Sequence, residues 1–503
     1  MASGGIESRG AESSAADSSA ESKSQKCKSA ECEIIESKSL ADSGAPCPQK
    51  IGFYRSAFIG DSVVAIHALY ALCKLYPRAQ IVVYTNAEGA QIFSQLAEKV
   101  ADFGADANSA SLAESTKSLE STNPAESSNP IESQTLSESK KPAETKEVQN
   151  ANFLDSDNSL DFANSNSHLD SAAPADSVAR AFAREHLRDF SSRFVCVNTD
   201  EMSREGLASH IKREAFECFL LTQPNRWRCA LVASSGARRI ITFATARNAL
   251  QPRFEKAFFS RAFSRITYRE ALLKLVRRID VRHYDSQISR IDFARITFCQ
   301  DAKSNAKISH FIDNIARQAM PTTTQVAPAT QATTPATPNI ICINPFVRSS
   351  PTNLSLESYA ALATRLAERY RHIIFVFISF AGAPSLPKLV KSLPNIAIFE
   401  NDKNLANLIA LLRASSALIS PSTGTIHIAD MLQVPTIGIY SPKDMRLWFG
   451  ANMRKDFMLV LKKPLQKMHA DDEAKALESA FTTAIHAIDN LAIDNLAIDS
   501  IVL

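Results

Sequence analysis

The sequence predicts an α/β protein in which two doubly wound parallel sheets face a central cleft. Three observations carry this. Short, continuously apolar runs such as "AQIVVYTN" and "HIIFVFIS" alternate with longer amphipathic runs, as strands buried on both faces alternate with the helices that cover them. The alternation fills two blocks, 49–301 and 339–465, joined by a Pro/Thr-rich stretch. A glycine-bearing turn follows a strand in each block, at the carboxyl ends where open α/β sheets take ligands.

The elements follow in order. Residues 1–48 and 106–176 are dominated by Ser, Ala, Glu and Lys, with recurring Glu-Ser pairs. Neither tract has the periodic apolar positions that offset ordering entropy, so both are expected to be disordered, the second as an insertion in the first block. In that block "KIGFYR" reads as a strand, "DSVVAIHALYALCKLYP" as a helix and "AQIVVYTN" as a strand. After the insertion come "FVCVNT" (strand), "IKREAFECFLLTQP" and "NRWRCALVASSGA" (helices) and "RRIITFA" (strand). Residues 302–338 read as a linker. The second block runs "NIICINPF" (strand), "SLESYAALATRLAERYR" (helix), "HIIFVFIS" (strand), "NLANLIALLRASS" (helix) and "ALISPS" (strand). Residues 466–503 form a helical or irregular tail whose "AIDNL" repeat, in five-residue steps, suits neither helix nor strand.

Composition narrows the class. At 503 residues the chain has room for two or three domains of roughly 100–200 residues each. With 56 basic and 53 acidic residues the balance is too mild for a nucleic-acid protein, although the basic residues between Arg226 and Arg282 make a local patch for an anionic partner. The 9 cysteines are scattered and form no C-x-x-C pair, which points to reduced thiols in the cytoplasm, without structural zinc. The first residues have no signal-peptide pattern, and no apolar run approaches the roughly 20 residues of a bilayer span. Any membrane contact is therefore peripheral.

Chemistry is sought at the two turns. In "ISPSTGTIHIADMLQVPTIGIYSPKD", Ser422 or Thr423 can cap a helix, and Gly424 lets backbone approach a ligand. The helix N–H groups and dipole favour an anion such as a diphosphate, with Thr425 in the first turn and His427 one turn in. A plain helix cap with a satisfied histidine explains the same residues. In "RSAFIGDS", Gly60 permits a tight turn and Asp61 sits where an N-cap belongs. A carboxylate there either caps the helix or serves as general base on an acceptor hydroxyl; it would repel a diphosphate. Arg348, after "ICINPF", and Lys443, after "IGIY", are cations able to neutralise a leaving diphosphate, or simply solvated charges.

Taken together, "IGFYRSAFIGDSVVAIHALYALCKLYPRAQIVVYTN" and "ASSALISPSTGTIHIADMLQVPTIGIYSPKD" resemble glycosyltransferase family 9, which contains the lipopolysaccharide heptosyltransferases. "ITYREALLKLVRRID" and "INPFVRSSPTNLSLESYAALATRLAERY" resemble it more faintly. The resemblance implies a GT-B architecture of two Rossmann-like domains and an inverting, metal-independent transfer without cofactor. No Asp-x-Asp stands where it would hold a metal. It implies Asp61 as catalytic base, with Arg55, Ser56 and Gly60 on the acceptor side. It places Ser422, Thr423, Gly424, Thr425, His427, Arg348 and Lys443 on the donor side. The implied donor is ADP-heptose, and the implied acceptor is a lipid A-core glycan at the inner face of the cell membrane. Ser422 replaces an aspartate of the family pattern, which keeps open another nucleotide sugar and a capsule or other glycan. A nucleotide- or glycan-binding protein without catalysis is the remaining alternative, against which Asp61, Gly424 and His427 speak jointly. A dehydrogenase is discounted, because no G-x-G-x-x-G follows a strand.

Overall fold

The computed structural model describes residues 47–100, 187–246, 248–260, 265–319, 339–348, 350–391 and 393–499. The expectations for 1–46, 106–176 and 320–338 lie outside the described residues. The first half holds strands β1 (Lys50–Tyr54), β2 (Gln80–Thr85), β3 (Leu96–Lys99), β4 (Leu187–Asp189), β5 (Val195–Asn198), β6 (Cys218–Leu221), β7 (Arg239–Phe243), β8 (Phe254–Ala257) and β9 (Ile296–Phe298). Its helices are α1 (Ile59–Leu75), α2 (Ala87–Phe93), α3 (Arg204–Glu214), α4 (Arg226–Ala233), α5 (Tyr268–Arg277), α6 (Val281–Gln287) and α7 (Ala302–Ala319). The second half holds β10 (Asn339–Ile343), β11 (Ile373–Phe380), β12 (Ile396–Asn401), β13 (Ala417–Pro421), β14 (Thr436–Tyr440) and β15 (Met458–Val460). Between and after them run α8 (Leu356–Arg369), α9 (Leu405–Arg413), α10 (Gly424–Met431), α11 (Pro442–Trp448) and α12 (Ala470–Asp499).

Two parallel sheets of identical plan result, β5-β2-β1-β6-β7-β8 and β12-β11-β10-β13-β14-β15. In each, the strand order reverses beside the first strand, between β1 and β6 and between β10 and β13. Loops leaving such a point diverge and open a crevice at the carboxyl ends of the strands. The architecture is GT-B: two Rossmann-like sheets whose crevices face each other. A small antiparallel sheet, β4-β3-β9, flanks the first.

Helix α1 explains how the halves meet. It is buried nearly all round, from Val63, Ala65 and Ile66 through Leu69, Tyr70, Leu72 and Leu75. A helix apolar on every side must be covered on every side. One side meets α5 in the core of its own half, and another meets α10 across the cleft. Leu69→Ala would cost about 2–5 kcal/mol at such a site.

Several expectations need correction. The helix expected over "IKREAFECFLLTQP" stops at Glu214, because Ala215 turns left-handed at φ 49°, and "CFLL" is the central strand β6. Part of the expected linker, Ala302–Ala319, is α7, which buries Ile308, Ile312 and Ile315 and packs against α9. The tail, expected to be helical or irregular, is a helix over Ala470–Asp499. Its anchor is the earlier stripe Ala480, Ala484, Ala487 and Ile488, buried in the second core.

Candidate active site

The turn after β1 is built around a buried cation. Arg55, 0% exposed, donates from Nε and Nη2 to the Asp61 carbonyl at 3.1 and 2.7 Å and from Nη1 to the Tyr268 hydroxyl at 2.9 Å. Its Nη2 lies 3.6 Å from Asp61 Oδ1. The helix begins earlier than expected: Phe58 is the N-cap, and Asp61 is the third helical residue rather than the cap. There the carboxylate still faces the positive helix end. Its side chain is 26% exposed, enough to meet a substrate. Arg55 has no open face, so the expected contact with an acceptor is not available to it. Ser56 is half-buried, and its carbonyl accepts from Arg228 at 3.1 Å.

Across the cleft, Thr423 is the N-cap of α10 but makes no side-chain cap bond. Asn344, at the end of β10, donates instead to the Thr423 and Ser420 hydroxyls, both at 3.1 Å. The expected side-chain cap from Ser422 or Thr423 is therefore absent, and the first-turn N–H groups of α10 keep their capacity to meet an anion. Ser422 is half-buried and lies within hydrogen-bonding reach of the buried Tyr440 hydroxyl. Thr425 is half-buried in the first turn.

The two turns touch through their glycines. A Cβ on Gly60 would lie 3.1 Å from Gly424 Cα and 3.2 Å from His427 Cδ2. A Cβ on Gly424 would lie 2.9 Å from Ile59 Cγ2 and 3.1 Å from the Gly60 nitrogen. What Gly424 admits closely is the opposite helix, not only a ligand. His427, 6% exposed, sits beside this contact with its ring 6.2 Å from that of Trp448. Burial pushes its pKa down to about 4 against the opposing pull of Asp61, so the imidazole is neutral at pH 7 and able to donate one hydrogen bond. Beneath lies a small cavity lined by His67, Arg269, His427, Asp430 and Trp448. His67 is held neutral too, at about 3, by burial and by Arg269.

The two candidate cations differ from expectation. Arg348 is exposed and reaches the opposite half, its Nη1 3.0 Å from Glu88 Oε1 and its guanidinium 4.0 Å from the Phe58 ring. Lys443 is exposed and belongs to the first turn of α11 rather than to a loop. The structure thus brings together Gly60, Asp61, Gly424 and His427, seats Arg55 beneath them and lets Arg348 bridge the rim. Sequence reasoning missed Asn344 and Tyr268. Asn344 had a signal, standing at a strand end where the sheet order reverses; Tyr268, 213 residues from Arg55, had none.

A larger cavity of 370 Å³ opens where β6 and β7 end, lined by Gln223, Asn225, Arg228, Phe243, Thr245, Phe259 and Tyr268. Within it Arg228 Nε and Thr245 Oγ1 are buried without a hydrogen-bond partner among the described residues. Among the described residues no group of three or more His, Cys, Asp or Glu is placed to hold a metal ion, and no helix is long and apolar enough to cross a membrane.

The model of glycosyltransferase family 9 (heptosyltransferase) matches residues 206–478. Among solved structures, a family 9 glycosyl transferase from Veillonella parvula is 11% identical with a TM-score of 0.51, over 86% of this chain and 97% of that one. The ADP-heptose lps heptosyltransferase II of E. coli is 12% identical with a TM-score of 0.45, over 86% and 99%. The E. coli heptosyltransferase WaaC with ADP is 11% identical with a TM-score of 0.43, over 86% and 99%. No curated protein matches the chain.

Proposed function

The chain belongs to glycosyltransferase family 9, and from that premise we propose that it moves a heptose from an ADP-linked donor to a lipid A-core acceptor by a single inverting displacement. The observation that carries this reading is the meeting of an accessible carboxylate, Asp61, with a side-chain-uncapped helix end, Thr423–Gly424, at facing sheet crevices. The acceptor hydroxyl attacks the anomeric carbon and gives its proton to Asp61. The bond from that carbon to the diphosphate breaks on the opposite side. The departing charge is met by the first-turn N–H groups of α10, by the His427 N–H and by Arg348 once it leaves Glu88. Lys443 and Thr425 border the donor side, and Ser56 with Gly60 the acceptor side. The 370 Å³ cavity supplies aromatic faces and unpaired polar atoms suited to an acceptor sugar. Because that acceptor is lipid-borne, the enzyme works from the cytoplasm at the inner membrane face, with the basic residues between Arg226 and Arg282 available to anionic lipid.

Titration calorimetry with ADP, UDP, GDP and CMP tests the donor, followed by transfer from ADP-heptose. Selective ADP binding supports the reading, and preference for UDP or GDP overturns the donor while leaving the fold intact. One observation favours a second donor sugar: Ser422, which replaces the aspartate of the family pattern, reaches toward Tyr440. Turnover of another ADP-sugar in preference to ADP-heptose would establish it.

A further inference from the structure

We infer that Arg55 and Tyr268 form a positioning pair that sets the attitude of the Asp61 carboxylate for proton removal, an inference that rests on Asp61 being the base. A guanidinium withdrawn wholly from water persists only when charge and hydrogen bonds compensate it. Here the compensation is specific. Two of its N–H groups converge on one atom, the Asp61 carbonyl oxygen, at 2.7 and 3.1 Å. A third is taken by the Tyr268 hydroxyl at 2.9 Å, which itself donates to the Thr222 carbonyl at 3.2 Å. That onward donation fixes the tyrosine lone pair toward Arg55. The guanidinium also lies over the Tyr268 ring, 5.0 Å from its centre.

Tyr268 is itself rigidly placed. It is the first residue of α5, directly after Thr267, whose hydroxyl and backbone form a reciprocal capping box with Glu270. A continuous chain of contacts therefore runs from the start of α5, through the tyrosine and the guanidinium, to the backbone of the base. It grips the backbone rather than the carboxylate, since 3.6 Å to Oδ1 is an ion-pair distance and not a hydrogen bond. The carboxylate keeps its lone pairs for a substrate hydroxyl while a positive charge stands behind it. The groups facing it are Arg55 from the strand end and His427 from α10. A direct contact between Arg55 and an acceptor sugar is ruled out by its complete burial.

The test compares Tyr268→Phe, Arg55→Lys, Arg55→Met and Asp61→Asn, each checked for folding by its melting curve, with transfer from ADP-heptose and the ¹³C-carboxyl NMR resonance of Asp61 at pH 7 as readouts. Tyr268→Phe removes one oxygen and is the variant expected to fold. It should lower kcat with KM for the donor unchanged, and Arg55→Lys should lower kcat further, up to about 10²-fold for a base misplaced by an ångström. Arg55→Met, where it folds, should displace that Asp61 resonance from its wild-type position, because the neighbouring charge and the hold on its backbone are both lost; an unmoved resonance overturns the Arg55 contribution. If Asp61→Asn is inactive while Tyr268→Phe and Arg55→Lys keep wild-type kcat, the positioning role is overturned and the base survives. If Asp61→Asn retains full turnover, the base itself fails. The NMR resonance decides the Arg55 contribution even if ADP-heptose is not the donor.

Discussion

Where β1 ends, the chain passes Arg55 and Phe58 before α1 begins; where β13 ends, it passes Ser422 and Thr423 before α10 begins. Both turns leave a sheet of the same strand order at the point of reversal, and each places a glycine against the other. Their electrostatics are opposite. The first carries a full charge of each sign, interlocked, with the cation buried and the anion half-open. The second carries no ionised side chain: its Ser420 and Thr423 hydroxyls accept from Asn344, its histidine is neutral, and its attraction for anions lies in the backbone. A repeated scaffold thus carries a carboxylate on one wall and a helix end on the other, and under the proposed function these serve as base and anion receptor, so the two kinds of substrate keep to their own walls. Asp61 would repel a diphosphate, and the α10 terminus has no base to offer.

The largest test of this contrast removes the proposed base. Asp61→Asn should lower transfer by about 10²–10⁴-fold, the range for a lost general base, while calorimetric ADP affinity stays as in the wild type. Equal losses of both would break the division of labour. Next comes the glycine contact. Gly424→Val adds a Cβ 3.1 Å from the Gly60 backbone nitrogen, which cannot swing away as a side chain would, and should destabilise the apposed halves by about 1–3 kcal/mol in denaturant unfolding. Unchanged stability would mean that the halves separate freely.

A smaller effect follows from the buried histidines. His67 and His427 titrate at about 3 and about 4 when folded, against 6.5 ordinarily. The unfolded chain therefore binds protons first as pH falls. Their contribution is complete above pH 6.5 and is lost as pH drops toward 4 for His427 and toward 3 for His67, at about 1.4 kcal/mol per pH unit for each histidine. His427→Gln should flatten the slope of stability against pH by one histidine's share, measured by unfolding at pH 7 and pH 5. The smallest effect is at the rim. Glu88→Gln breaks the exposed pair with Arg348 and should change stability by about 1 kcal/mol or less.

How much of this was legible in the sequence follows from where each signal resides. Strand β1 and helix α1 announce themselves locally, through apolar runs and a glycine-bearing turn. The exit from α3 does not: Ala215 adopts a left-handed turn with no glycine to mark it, so the pattern reads on through "CFLL". Short edge strands such as β8 and β15 are too brief to show a period. In the site, Gly60, Asp61, Gly424 and His427 are readable because each sits in a turn that must leave a strand. The family match begins at residue 206, past the Asp61 turn, so the placement of that turn against α10 comes from the fold alone. Arg55 shows where sequence fails most clearly. A cation at the end of a strand looks like a ligand contact, and only the far side of the fold, with Tyr268 and Thr222, reveals that its partners are internal.

The antiparallel pairing of β3 with β4 has a consequence for how this chain can vary. Lys99 and Leu187 are partners in that ladder, so two positions far apart in sequence stand side by side. Between two points fixed side by side, closing a chain costs only about 0.6 kcal/mol more for each doubling of the length that joins them. Length can therefore change between these two positions on a logarithmic scale while the ladder keeps its register.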